Sequence, residues 1–285
     1  MNKIEESTQW DLILTPQKGW FKLDLGAIWR YRDLLMLLVR RDIVAFYKQT
    51  IFGPLWYFIQ PVFTTIVFTF IFGKLAKLST DGLPQSVFYL VGITAWNYFS
   101  DCLIKTSTVF RDNQAIFGKV YFPRIISPLS IVVSNLLRFA IQLVLLLGLI
   151  IYFYFQGVIF PIGWNIFLFP VFILFMAMQG LGLGMMVTAM TNKYKDLSIL
   201  VPFGMQLLMY ATTVIYPLSS LSGNMYRIVA LNPMTYVIEG IKASTLGVGV
   251  LTFQTFTYSF LVSVFILSIG YIIFNKAEKS FIDTI

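Results

Sequence analysis

The chain has 285 residues, of which 58% are apolar, 17% aromatic and only 12% charged, with a net charge of +8 and a mean hydropathy of +0.77. Soluble domains carry about 25% charged residues, so this composition excludes an ordinary soluble fold. The absence of histidine excludes a His-based metal centre or catalytic dyad, and the single cysteine, Cys102, excludes an internal disulfide.

The predicted elements begin with a polar arm over residues 1–27, which lacks the continuous apolar segment of a cleaved signal. Residues 28–52 mix Ile28, Trp29, Leu34, Leu35, Leu37 and Leu38 with Arg30, Arg32, Arg40, Arg41 and Lys48. That pattern predicts an amphipathic helix lying along the membrane surface, its basic groups toward the headgroups. Gly53 and Pro54 then allow a sharp turn into the bilayer. Apolar runs near 53–73, 85–103, 129–155, 164–190, 198–217 and 252–274 read as six transmembrane spans, and the chain from 276 to 285 as a tail. The fold class expected is therefore an all-α integral membrane protein with six transmembrane helices, an amphipathic interface helix before them, cytoplasmic coupling segments between them and short re-entrant helices before the last span.

Lys and Arg set the orientation. The segments 1–52, 104–128, 191–197 and 275–285 hold 16 of the 21 Lys and Arg residues, whereas 74–84, 156–163 and 218–251 hold 4. Both termini should be cytoplasmic. The net charge is explained by this topology and by attraction to anionic lipids, and it does not argue for nucleic acid.

Three segments carry a family resemblance. The first is RRDIVAFYKQTIFGPLWYFIQP, with Arg41, Asp42, Tyr47, Lys48, Gln49, Thr50, Gly53, Trp56 and Pro61. The second is FRDNQAIFGKVYFPRIISP, residues 110–128, with Asn113, Ile116, Phe117, Lys119, Phe122 and Pro123 between spans two and three. The third is IVALNPMTYVIEGIKASTLG, residues 228–247, with Asn232, Pro233 and Glu239. Together they resemble ABC-2 type export permeases, in particular the polysaccharide and O-antigen branch, with teichoic acid exporters sharing the features. Tyr194, Lys195, Asp196 and Leu197 also resemble a Tyr-Arg-Asp-Leu turn of that family, with Lys in place of Arg.

The resemblance implies that Asn113, Ile116, Phe117, Lys119, Tyr194, Lys195 and Asp196 couple the chain to an ATPase, and that Asn232, Pro233 and Glu239 belong to a re-entrant segment. Ile116 and Phe117, flanked by charges, would seat in a cleft of the soluble partner. No GxxxxGK[ST] occurs, because Gly73-Lys74 and Gly118-Lys119 are followed by Leu75 and Val120. The chain is therefore read as a transport subunit and not an enzyme. It would carry no cofactor, and ATP and Mg would be bound by two copies of a separate nucleotide-binding ATPase subunit. Six spans without an internal repeat point to a second copy of the chain completing the pathway.

The expected substrate is a lipid-linked glycan crossing the bacterial inner membrane. Trp56, Tyr57, Phe63, Phe203 and Tyr210 are candidates for the substrate pathway, since aromatic faces stack on sugar rings while offering few strong hydrogen bonds. The competing reading places them in interfacial belts or in the core. Drug or small-lipid export by the same fold is the alternative function. An ion-coupled transporter or channel would place ionisable groups in mid-membrane. Here Asp101 sits near a span end and Arg138 reads as snorkelling to cytoplasmic headgroups. A membrane-bound transferase would need convergent carboxylates, and these are scattered. Gly180 and Gly184, four apart on one helix face, read as a packing surface.

Overall fold

A chain inside a bilayer must satisfy its backbone hydrogen bonds internally, and the architecture obeys that rule: every regular element among the described residues is helical. The structure is a computed structural model describing residues 25–48, 52–120, 122–191 and 193–282. Most of the N-terminal arm, together with Gln49 and Thr50 of the first resemblance segment, lies outside the described residues.

The segment expected to lie along the membrane surface forms two helices, α1 (Leu25–Arg30) and α2 (Arg32–Tyr47). Leu38 and Val39 of α2 are buried. Gly53, at φ +47°, makes the turn, a backbone angle that a residue with a Cβ adopts at a cost. Beyond it, α3 (Trp56–Phe68) continues into a wider π-helical stretch, Thr69–Leu75. Next come α4 (Gln85–Ser107), the single turns α5 (Val109–Asp112) and α6 (Gln114–Phe117), and the 30-residue α7 (Ile126–Phe155). The chain continues through α8 (Phe169–Thr191), α9 (Leu197–Tyr210), α10 (Gly223–Leu231) and α11 (Thr235–Leu246) to α12 (Phe253–Ile282). The tail expected from 276 is thus helical as far as Ile282.

Among the described residues, five helices are long and apolar enough to cross a membrane: Trp56–Leu75, Gln85–Ser107, Ile126–Phe155, Trp164–Thr191 and Phe253–Glu278. The expected span at 198–217 appears as the 14-residue α9, which at 1.5 Å per residue is about 21 Å long. A non-helical stretch follows it, in which Thr212, Thr213, Val214 and Ile215 are all buried.

The extremes of hydropathy among the spans are also the extremes of burial, in opposite order. The centre of the bundle is α4, the least apolar span with a mean hydropathy of 1.2 and 78% of its core window buried. In contrast, α7 has a mean hydropathy of 2.3 and only 17% buried. A helix shielded by protein can carry Thr94, Thr106 and Ser107, whereas one facing hydrocarbon must be apolar on its exposed face and keep polar groups such as Asn135 and Gln142 of α7 turned inward.

Close approach around α4 and α8 relies on missing side chains. A Cβ at Gly180 would stand 2.8 Å from the Cys102 Cβ, and one at Gly184 would stand 2.6 Å from the Thr106 Cβ. Both face α4, as their spacing predicted. The opposite side of α8 uses the same device, since Cβ atoms at Gly182 and Gly270 would meet Ile266 O at 2.7 Å and Gly182 O at 2.2 Å. Thus α8 is clamped between α4 and α12.

Two ends of the bundle can be told apart. At one, Arg124 pairs with Glu278 at 3.9 Å, and the Thr191 hydroxyl donates to the Ser107 carbonyl. At the other, the Ser219 hydroxyl donates to Asp81 at 2.7 Å, and Tyr258 donates to the Leu231 carbonyl at 3.1 Å. The first end gathers the Lys- and Arg-rich segments.

Candidate functional site

At the basic end, α2 packs along α7 and reaches the turn between α5 and α6. The Arg41 guanidinium donates to Asn113 Oδ1 at 2.9 Å while pairing with Asp42 at 2.8 Å. Asn113 in turn donates from Nδ2 to the Val109 carbonyl at 3.0 Å. A charge-assisted bond therefore joins the surface helix to the proposed coupling segment, which sequence spacing alone had left unconnected. Arg40 and Lys48 are exposed.

A second polar cluster lies one layer deeper. Arg138 does not reach out alone to headgroups: α7 begins at Ile126, so Arg138 lies more than three turns along it, and its guanidinium pairs with Asp101 at 3.2 Å. It also stands 4.8 Å over the Tyr57 ring, a cation–π contact. Nearby, Lys105 donates to Asn135 Oδ1 at 3.0 Å. The sequence reading named Asp101 and Arg138 but did not join them, because their pairing depends on α4 packing against α7.

The coupling segment is only partly outward-facing. Phe117 is 6% exposed, with ring centroids 6.1 Å from Phe110 and 5.6 Å from Phe122 and the Arg124 guanidinium 5.2 Å above it. In the single chain Phe117 thus packs into the core, and Ile116 and residues 118–120 face outward. Ile116 is half-buried, and Lys119 and Val120 are exposed.

The turn after α8 lies beside this segment. Hydroxyls of Thr188 and Thr191 donate to the Thr106 and Ser107 carbonyls, the first at 2.6 Å, so these ends of α4 and α8 are tied. Tyr194, Lys195 and Asp196 are exposed, with the Lys193 ammonium 5.3 Å from the Tyr194 ring. Both resemblance segments therefore present polar groups on one end of the bundle.

At the opposite end, Asn232 Oδ1 accepts from the Met234 N–H at 3.0 Å, a local turn that starts α11. The Pro233 carbonyl accepts from Gln179 Nε2 at 3.3 Å, and the same amide donates to Ser263 at 2.9 Å. Glu239 is fully buried. Its Oε2 accepts from the Val250 N–H at 3.2 Å, and its Oε1 lies 3.5 Å from Lys242 Nζ. The Lys242 ammonium also donates to the Thr213 carbonyl and sits 3.8 Å from the Phe88 ring centroid. One buried lysine thus ties α11 to the irregular segment after α9 and to α4. Lys242 and Gln179 were missed; the available signals were a single amide inside the apolar α8 and a Glu–Lys pair three residues apart in α11.

The five pathway candidates divide. Trp56, Phe63, Phe203 and Tyr210 are exposed, Phe63 at 64% and Phe203 at 60%, whereas Tyr57 is buried at 8% beneath Arg138. The exposed ones sit on α3 and α9, and Met205 is the one buried residue of α9.

Residues 33–246 match the ABC-2 type transporter family, a stretch that runs from α2 through α11. The chain is 30% identical over 220 residues to the O-antigen export system permease protein RfbA of Myxococcus xanthus, covering 76% of this chain and 81% of the relative. It is 23% identical over 262 residues to a protein of the same name from Klebsiella pneumoniae, covering 92% and 97%, and 22% identical with the same coverage to a second one from that organism. The chain is a multi-pass membrane protein of the ABC-2 type transporter family.

Proposed function

We propose that this chain is the transmembrane permease subunit of an ATP-driven exporter that moves a lipid-linked polysaccharide of O-antigen type across the bacterial inner membrane. Two copies of the chain form the pathway, and two copies of a separate ATPase bind ATP and Mg and supply the energy. The observation that carries this reading is family membership combined with relatives named for O-antigen export over nearly their whole length.

The geometry supports the division of labour. Residues 109–120 and 193–196 lie together at the basic end, where the positive-inside rule puts the cytoplasm. An ATPase docked there would push on Asn113, and through Arg41 on the surface helix. Lys119, Tyr194, Lys195 and Asp196 form the outward face of this contact, with Ile116 at its edge.

The second copy is supported by α9, an apolar helix whose exposed Ile199, Leu200, Phe203 and Leu207 find almost no cover within one chain. With α3 it would line the pathway, where Trp56, Phe63, Phe203 and Tyr210 offer flat faces to a passing glycan. Tyr57 contributes by holding Arg138. In this reading α9 and the buried stretch 211–217 complete a sixth crossing, since irregular backbone at membrane depth is tolerated when packed against protein. The helices α10 and α11 dip back into the outer leaflet, held by Asn232, Pro233 and Glu239.

The test is complementation. A strain lacking its own permease, given this chain with its cognate ATPase, should regain surface O-polysaccharide. Membrane insertion and ATPase co-purification without surface glycan, but with a gain in drug resistance, would instead favour export of small amphiphiles.

A further inference from the structure

One feature not yet assigned is an open groove of about 680 Å³ at the outer end, between α10, α11 and the start of α12. Its volume falls within the 300–1,000 Å³ of small-ligand sites. It is lined by Tyr226, Arg227, Tyr236, Gln254, Thr255 and Tyr258, among others, and by no carboxylate.

We propose that this groove is a saccharide-binding site that receives the exported glycan as it emerges. The inference rests on the export reading above and adds to it a place and a set of residues. Three tyrosines converge there, each half-buried. The rings of Tyr236 and Tyr258 stand 5.4 Å apart at 80°, forming a corner, and the Tyr258 hydroxyl is anchored on the Leu231 carbonyl at 3.1 Å. A fixed corner of two phenol rings suits the C–H face of a pyranose. It is a poor fit to a flat belt of headgroups, for which the rings need no common orientation.

The rim supplies the complementary polar chemistry. Arg227 is exposed and has no salt-bridge partner among the described residues, so its planar fork of donors is available to paired sugar hydroxyls or to an acidic substituent. The Gln254 amide and the Tyr226 hydroxyl can both donate and accept. Thr252 and Thr255 hold each other across the first turn of α12, the Thr252 N–H donating to Thr255 Oγ1 at 2.9 Å. The first turn of α12, which carries Gln254, is thereby capped. A saccharide of a few units would lie across the tyrosine corner with its hydroxyls toward Arg227 and Gln254, which would give the emerging chain a foothold outside the membrane.

The experiment places a photoreactive benzophenone amino acid at Gln254, at Phe203 on the proposed pathway, or at the lipid-exposed Phe265, in cells that express the full chain with its cognate ATPase. After irradiation, the permease is blotted for covalently attached glycan. The expected result is a glycan adduct at position 254 at least fivefold stronger than at 265, falling at least fivefold when Tyr236→Ala and Arg227→Gln are added at equal permease levels. An adduct at 203 without one at 254, or adducts at 254 containing only phospholipid, would overturn the groove while leaving the export reading in place. Loss of every glycan adduct together with surface glycan would remove the export reading, and the groove with it.

Discussion

Adding one methyl group at Gly270 should be among the most damaging small changes in this protein. The new Cβ would stand 2.2 Å from Gly182 O and 2.8 Å from Gly182 C and Cα, whereas ordinary contact begins at 3.4 Å. The obstructing atoms are backbone, so no side chain can rotate away. The α8 and α12 axes would have to part locally by about 1 Å, and a gap of that size forfeits about a quarter to a half of the dispersion energy of each contact it opens. With no hydrophobic force to restore association within a bilayer, an overpacking cost of about 1–3 kcal/mol is expected. Gly148, on the lipid-facing α7, provides the control, because a Cβ there meets nothing within 4 Å. Ala at that site removes a helix-propensity deficit of up to about 1 kcal/mol. The same gain applies to Gly270 inside α12, so it cancels, and Gly270→Ala and Gly148→Ala should differ by about 1–3 kcal/mol in SDS titrations of purified protein in mixed micelles, followed by tryptophan fluorescence. Coincident unfolding curves for the two variants would refute the close-packing argument.

Three further outcomes follow from other contacts. Lys242→Met should destabilise the protein by about 3–5 kcal/mol because it strands the buried Glu239 carboxylate, and adding Glu239→Gln should recover a good part of that loss; thermal midpoints in detergent read both, and a harmless single variant would contradict the buried pair. Lys119→Glu with Val120→Asp should weaken ATPase co-purification and leave stability unchanged, while Phe117→Ala should lower stability by about 3–5 kcal/mol, so the two effects must separate in a pull-down read beside a melting curve. Reporter fusions at residues 116 and 280 should report cytoplasm and those at 80 and 223 the outside, because basic residues concentrate at one end of the bundle; a cytoplasmic signal at 223 would overturn the topology.

The sequence by itself determined the class of the protein and the location of most of its helices. Apolar runs of membrane length can form only helices or barrels in lipid, and the asymmetry of Lys and Arg carries orientation without any tertiary information. The turn at Gly53 and the close-packing face of Gly180 and Gly184 were also legible, because positive φ and helical spacing are local properties. The span at 198–217 was legible as apolar, but its division into a short helix and a buried irregular stretch was not, since hydropathy does not distinguish α9 from the segment that packs Val214 against Gly92. Nor could spacing reveal that Phe117 turns inward, that Arg41 reaches Asn113 across 72 residues, or that Arg138 finds Asp101. The two charged partnerships join groups far apart in the chain, and their meeting depends on which helix faces pack together. The same holds in part for Lys242: Glu239 is its neighbour one turn away on α11 and legible from spacing, but Thr213 and Phe88 reach it only when α11 folds back against α4. Local patterns fix what a segment can be, and the closing of the bundle decides which charges meet, because the cost of an unpaired charge away from water is settled only by what surrounds it.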